Sequence, residues 1–167
     1  MLYLGIDNGL SGGIVVLNDN ADIVYKTVMP VTNSDKREYD IKTLKEVFKQ
    51  IRVLDCNVIA GLEKAYVRPV QGIRAAFSTG YGFGIMQALL ESNEIGYEII
   101  NPTVWMKDVF EGNYRKEEKK QSILWAQRKW PKENWLPTVK SKMASDGLTD
   151  AAGIAFYIYL RNRGKLI

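Results

Sequence analysis

Two apolar runs in this chain end in a carboxylate, and that pattern restricts the possible folds more than any other feature. Leu2 to Ile6 leads into Asp7, within Gly5-Ile6-Asp7-Asn8-Gly9, and Ile59-Ala60-Gly61-Leu62 leads into Glu63. Short apolar runs bounded by turn residues read as buried strands. A carboxylate at the end of such a strand is costly unless something cationic meets it. Asp146 and Asp150 lie four residues apart where a helix begins, so they can share one helix face. Acids at two strand ends and a helix entrance, in a chain of net charge +4, point to a divalent-metal site that acts on a polyanion.

The rest of the sequence places those acids in order. Leu2 to Asp7, Ile14 to Leu17 and Ile23 to Met29 read as three strands, with turn signals at Asn8-Gly9, Gly12-Gly13 and Asn18-Asp19-Asn20. They form an antiparallel meander. Asp40 predicts an N-cap for a helix over roughly 41–52, with Ile41, Leu44, Val47, Phe48 and Ile51 at helical spacing. Val58 to Leu62 and Tyr97 to Ile100 are a fourth and a fifth strand, each reached through a helix, which makes them parallel. A short helical segment follows Pro102, and helices over roughly 115–129 and 147–162 complete the order. No repeat, linker or low-complexity tract divides the chain, so residues 1–167 read as one domain. The order βββαβαβαα is that of the α/β ribonuclease H-like architecture: a mixed five-stranded sheet, three strands antiparallel and then two parallel, with helices on both faces.

The helix expected over 71–92 carries two ridges. One is small (Gly72, Ala76, Gly80, Gly84, Ala88) and one apolar (Ile73, Phe77, Tyr81, Ile85, Leu89). Glycine inside a helix costs about 1 kcal/mol relative to alanine, so the small ridge needs an offsetting close approach. One reading packs it on the protein's own sheet. Another makes Gly80 and Gly84 part of a symmetric dimer contact. A third breaks the helix at Gly80-Tyr81-Gly82.

Absences narrow the chemistry. The chain has no histidine and a single cysteine, Cys56. Ser-His and Cys-His nucleophile pairs are therefore excluded, as are the usual zinc sites. Hard oxygen ligands remain, and they suit Mg²⁺ or Mn²⁺. One cysteine forms no internal disulfide and fits a reduced intracellular setting. No run approaches the roughly 20 apolar residues that cross a bilayer, and the first residues lack the basic stretch of a signal peptide. Basic residues cluster at Arg115, Lys116, Lys119 and Lys120, at Lys140 and Lys142, and at Arg161, Arg163 and Lys165. Each cluster is either a solvated face or a contact for a polyanion. Taken alone, Asp146 reads as an N-cap and Asp150 as a first-turn charge; taken with the two strand-end acids, they read as a metal site.

The motifs resemble a known family. Gly5-Ile6-Asp7-Asn8-Gly9 resembles the first motif of RuvC-like Holliday junction resolvases, and Leu62-Glu63-Lys64-Ala65-Tyr66 through Gln71-Gly72 is similar to their second. Pro102-Thr103-Val104-Trp105-Met106-Lys107, the lysine-rich stretch with Ser122 and Ser145-Asp146-Gly147-Leu148-Thr149-Asp150-Ala151 are similar to the phage and chloroplast branch. Bacterial RuvC proteins set the last two metal-facing groups three residues apart. Here that position is Gly147, and Asp146, at four, matches the other branch.

The resemblance implies a homodimer that binds branched DNA, with two Mg²⁺ per active site (Mn²⁺ substituting) held by Asp7, Glu63, Asp146 and Asp150. It implies a structure-selective endonuclease that resolves four-way junctions and leaves 5′-phosphate and 3′-hydroxyl ends. Lys107 and one of Lys116, Lys119 or Lys120 would approach the scissile phosphate. Tyr66 either stacks on a base near the crossover or caps the sheet edge. Arg68 and Arg74 would contact phosphate. Trp105, Trp125, Trp130 and Trp135 read as packing residues. Competing readings are another ribonuclease H-like nuclease (for RNA–DNA hybrids, or an exonuclease), an actin-like phosphotransferase fragment and a non-catalytic DNA-binding relative.

Overall fold

A computed structural model describes residues 1–32, 36–67, 70, 72–110 and 121–166. Five strands, β1 (Leu2–Asp7), β2 (Gly13–Leu17), β3 (Ile23–Val28), β4 (Val58–Glu63) and β5 (Gly96–Ile100), form one sheet in the order β3-β2-β1-β4-β5. β1 and β2 pair antiparallel, as do β2 and β3, whereas β1–β4 and β4–β5 are parallel. The helices are α1 (Ile41–Leu54), α2 (Ile73–Ser92), α3 (Pro102–Val109), α4 (Gln121–Lys129) and α5 (Asp146–Asn162). This is the expected architecture, with element ends shifted by a residue or two. The part of the 115–129 expectation before Gln121 lies outside the described residues.

Alternation along β1 and β2 sends side chains to opposite faces, and each face has its own core. Leu4, Ile6, Ile14 and Val16 pack with Leu44, Phe48, Ile51, Met86 and Leu90 of α1 and α2. Tyr3, Val15 and Leu17 pack on the other face with α5 and with Trp105, Trp130 and Trp135. Asp40 caps α1 as expected, accepting from the Thr43 N–H at 3.0 Å. Of the apolar residues expected on the inner face of α1, Leu44, Val47, Phe48 and Ile51 are buried and Ile41 is exposed.

α5 lies extremely close to the sheet. A Cβ at Gly5 of β1 would collide with the Ala151 carbonyl oxygen and come within 2.9 Å of the Ala155 methyl. At Gly147 it would strike the Ser11 carbonyl oxygen and the Gly12 backbone. Thinly clothed backbones on both sides therefore bring the N-terminus of α5 down onto the β1–β2 turn.

α2 is one continuous helix, so the break expected at Gly80-Tyr81-Gly82 does not occur. Nor does its small ridge meet the sheet. Gly72, Gly80 and Gly84 have nothing within 4 Å of an added Cβ. The sheet is met instead by Met86, Leu89 and Leu90 in the second half. In the first half, Ile73 is 89% exposed and Phe77 72%.

Candidate active site

Parallel pairing sets Ile6 opposite Leu62, so Asp7 and Glu63 leave neighbouring strands side by side. Asp150 sits one turn into α5, the helix seated against the β1–β2 turn. Burial pushes Asp7 up to about 6, with the Gly9 N–H opposing and the charge of Asp146 adding to the rise. Burial pushes Glu63 up to about 8, Asp7 and Asp150 raising it further and the Trp105 indole holding it down. Asp150 rises to about 7 by burial, opposed by a Ser122 hydrogen bond and reinforced by Asp7 and Asp146. Asp7, Glu63 and Asp150, drawn from three segments far apart in the sequence, therefore each feel the charge of another acid of the set.

Neutral donors hold the buried carboxylates. Asp7 Oδ1 accepts from the Gly9 N–H at 3.0 Å, an Asx turn that fixes its side chain at the strand end. Glu63 Oε1 accepts from the Trp105 indole N–H at 2.9 Å. Ser122 is buried, lies 3.0 Å from the Thr149 hydroxyl, and stands close enough to Asp150 to oppose the rise of its carboxyl. The turn itself is clamped twice. Asn8 donates its side-chain amide to the Glu63 carbonyl at 2.9 Å, and the buried Tyr39 hydroxyl donates to the Asn8 carbonyl at 2.7 Å. Tyr39 reaches that point beneath Gly82 of α2, where a Cβ would collide with its hydroxyl.

Asp146 is exposed at the first position of α5. It is not the N-cap, because the Ser145 hydroxyl fills that role, accepting from the Leu148 N–H at 3.3 Å. Among the described residues no three Asp, Glu or Cys side chains stand close enough to ring one ion. The donor set nevertheless fits a hard divalent cation: all four side chains offer carboxylate oxygens, and the burial and mutual repulsion of Asp7, Glu63 and Asp150 are costs that a cation offsets.

The other expected contacts divide. Tyr66 is 70% exposed, so it does not cap the sheet edge by burial. Arg74 is exposed in the first turn of α2, and Lys107 is exposed on α3, two residues from the buried Trp105. Arg68, Lys116, Lys119 and Lys120 lie outside the described residues. Trp105, Trp130 and Trp135 are buried, as packing residues should be, and Trp125 is partly buried. Trp105 has a second role that its residue type alone did not disclose, as does Ser122. Both fall in stretches singled out by resemblance, and that was the available signal.

No protein-family model matches the sequence, and no curated protein matches it either. Solved structures do. RuvC of Thermus thermophilus superposes with a TM-score of 0.68 at 14% identity, both in a complex with a Holliday junction substrate, covering 99% of this chain and 97% of that one, and in a structure titled for RuvC alone, covering 99% and 98%. The fold is that of RuvC. The yeast mitochondrial Holliday junction resolvase Ydc2 superposes with a TM-score of 0.56 at 15% identity, over 97% of this chain and 78% of that one. Coverage of nearly the whole of RuvC means that the RuvC fold accounts for every element described above. No helix among the described residues is long and apolar enough to cross a membrane.

Proposed function

We propose that this protein is a divalent-metal-dependent endonuclease that resolves four-way and other branched DNA junctions as a homodimer. The observation that carries it is the electrostatic grouping of Asp7, Glu63, Asp150 and Asp146 at one end of a RuvC fold. Asp7, Glu63, Asp146 and Asp150 would hold Mg²⁺, two ions per site, with Mn²⁺ as a substitute. Such ions supply water activation and neutralise charge on the leaving oxygen, which a chain without histidine needs for phosphodiester hydrolysis. The products are 5′-phosphate and 3′-hydroxyl ends.

The chain's own residues prepare the site. Trp105 and Ser122 fix the orientation of Glu63 and Asp150, and the Asx turn fixes Asp7. Tyr66, three residues beyond Glu63, would stack on an unpaired base, a role its 70% exposure supports. Arg74, Lys107, Arg68 and the Lys116, Lys119 and Lys120 cluster supply phosphate contacts. The dimer forms through α2, where open Gly80 and Gly84 adjoin exposed Ile73 and Phe77. A contiguous exposed apolar stripe of this kind marks an interaction surface. Such an enzyme works where junctions arise, in the cytoplasm of a prokaryotic or phage-infected cell.

The test is a synthetic Holliday junction, with and without Mg²⁺, mapped on all four strands. Paired symmetric nicks are expected with the metal only. Asp7→Asn abolishes them while leaving junction binding in Ca²⁺ intact. Wild-type nicking by that variant removes Asp7 from the mechanism. Preferential cleavage of an RNA–DNA hybrid or a linear duplex replaces junction resolution with another nuclease activity.

A further inference from the structure

A cavity of about 870 Å³ opens beside Asp146 and runs away from the acid group. Its walls are the β1–β2 turn at Leu10 to Gly12, the stretch from Thr27 to Val31, and the loop from Pro137 to Ser145 that enters α5. Among the described residues Asp146 is the only acid in the lining, and it stands at the end nearest the acid group. The rest of the rim is cationic or hydroxylic: Arg37, Lys142, Ser11, Thr138 and Ser141.

The rim is built rather than merely exposed. The Arg37 guanidinium donates to the Leu10 carbonyl at 2.9 Å and lies 3.4 Å from the Ser11 hydroxyl, which plants a cation on the turn that begins at Asp7. Thr138 and Ser141 close their loop with a 2.8 Å hydroxyl contact and a Ser141 N–H bond to the Thr138 carbonyl. Neither Arg37 nor Lys142 has an ion-pair partner among the described residues. The apolar part of the lining is aliphatic, with Val28, Met29 and Met143, and among the described residues no aromatic ring lines the groove.

That chemistry selects among the parts of a nucleic acid. Bases are bound sequence-tolerantly on aromatic faces, and here there are none. Cations and hydroxyls around an aliphatic floor suit phosphates and deoxyribose instead. We propose that this groove holds the sugar–phosphate backbone of the DNA strand adjoining the cleavage point, with Arg37 and Lys142 each on one phosphate. The proposal rests on the nuclease reading above, which assigned no role to either residue.

The experiment compares wild type with Lys142→Gln, Arg37→Gln and the double variant. Each is bound to a synthetic four-way junction in Ca²⁺ across a salt series. Each neutralised phosphate contributes about 0.7–0.9 to the slope of log K against log salt. The single variants should each lose about one such increment, and the double variant about two. In Mg²⁺ the double variant should show a raised KM with kcat near wild type. A methylphosphonate at one phosphate flanking the cut should weaken wild type and leave the matching variant unaffected.

Lys142 makes no hydrogen bond among those described, so Lys142→Gln tests the groove without disturbing the turn. Wild-type salt slopes and KM in the double variant overturn the proposal. If wild type cuts no junction yet the slopes fall as stated, the groove stands and the nuclease reading falls. If wild type cuts and the slopes do not change, the groove falls alone.

Discussion

α5 and α2 are both rich in small residues, and the fold uses them in opposite ways. On α5, Gly147, Ala151, Ala152, Gly153 and Ala155 are all buried; Ala151 and Ala155 lie against Gly5 of β1, Gly147 lies against Gly12 and Gly13 at the start of β2, and Gly153 admits the Trp105 ring. On α2, Gly80, Gly84 and Ala88 are exposed, and the sheet is met by Met86, Leu89 and Leu90. A stripe of missing side chains therefore signals close approach, but not to what. The discriminating feature is on the partner: where the opposing strand is also stripped, helix and sheet meet backbone to backbone.

The largest effect should come from restoring a side chain where both sides are bare. Gly5→Val should cost about 3 kcal/mol or more, the upper range for overpacking, because its Cβ has no room beside Ala151. Urea unfolding measures it, and a near-neutral result would dissolve the contrast between the helices.

An intermediate effect separates them by charge, since α5 carries two of the four site acids, Asp146 and Asp150, and α2 carries none of them. Asp7, Asp150 and Glu63 are raised from ordinary values of 3.8, 3.8 and 4.5 to about 6, 7 and 8. Folded protein therefore keeps protons that the unfolded chain has released, and stability falls as pH rises from about 4 to about 8. Melting temperature in EDTA should decline across that window. Asp150→Asn should flatten the decline and Gly84→Ala should not. Mg²⁺ should raise the melting temperature more at pH 8 than at pH 5.

The smallest effect is on α2 itself. With nothing within 4 Å of its Cβ, Gly84→Ala should stabilise the isolated chain by about 1 kcal/mol through helix propensity. Gly84→Leu, by contrast, should weaken self-association. Sedimentation over a concentration series reads the second, and an unchanged profile would remove α2 from the dimer.

The same contrast explains what the sequence disclosed. Strand order, the pairing of Asp7 with Glu63 and the close seat of α5 follow from local pattern: apolar runs, turn residues and an Ala/Gly helix start. The outward turn of Ile73 and Phe77 does not, because periodicity defines a face without saying which way it points. Assigning Asp146 as a cap competed with the adjacent Ser145, and only backbone geometry decides between neighbours. Trp105 looked like core and is core. Its indole N–H also reaches a carboxylate from another strand, and such a contact depends on tertiary placement that no spacing rule encodes.

Tyr39 passes beneath Gly82 to reach the Asn8 carbonyl, and this makes two distant positions a single heritable unit. Any residue larger than glycine at 82 would evict the phenol and free the loop that carries Asp7. A smaller residue at 39 would lift the constraint on 82 and slacken the same loop. Relatives of this chain that keep the tyrosine are thereby bound to keep the glycine.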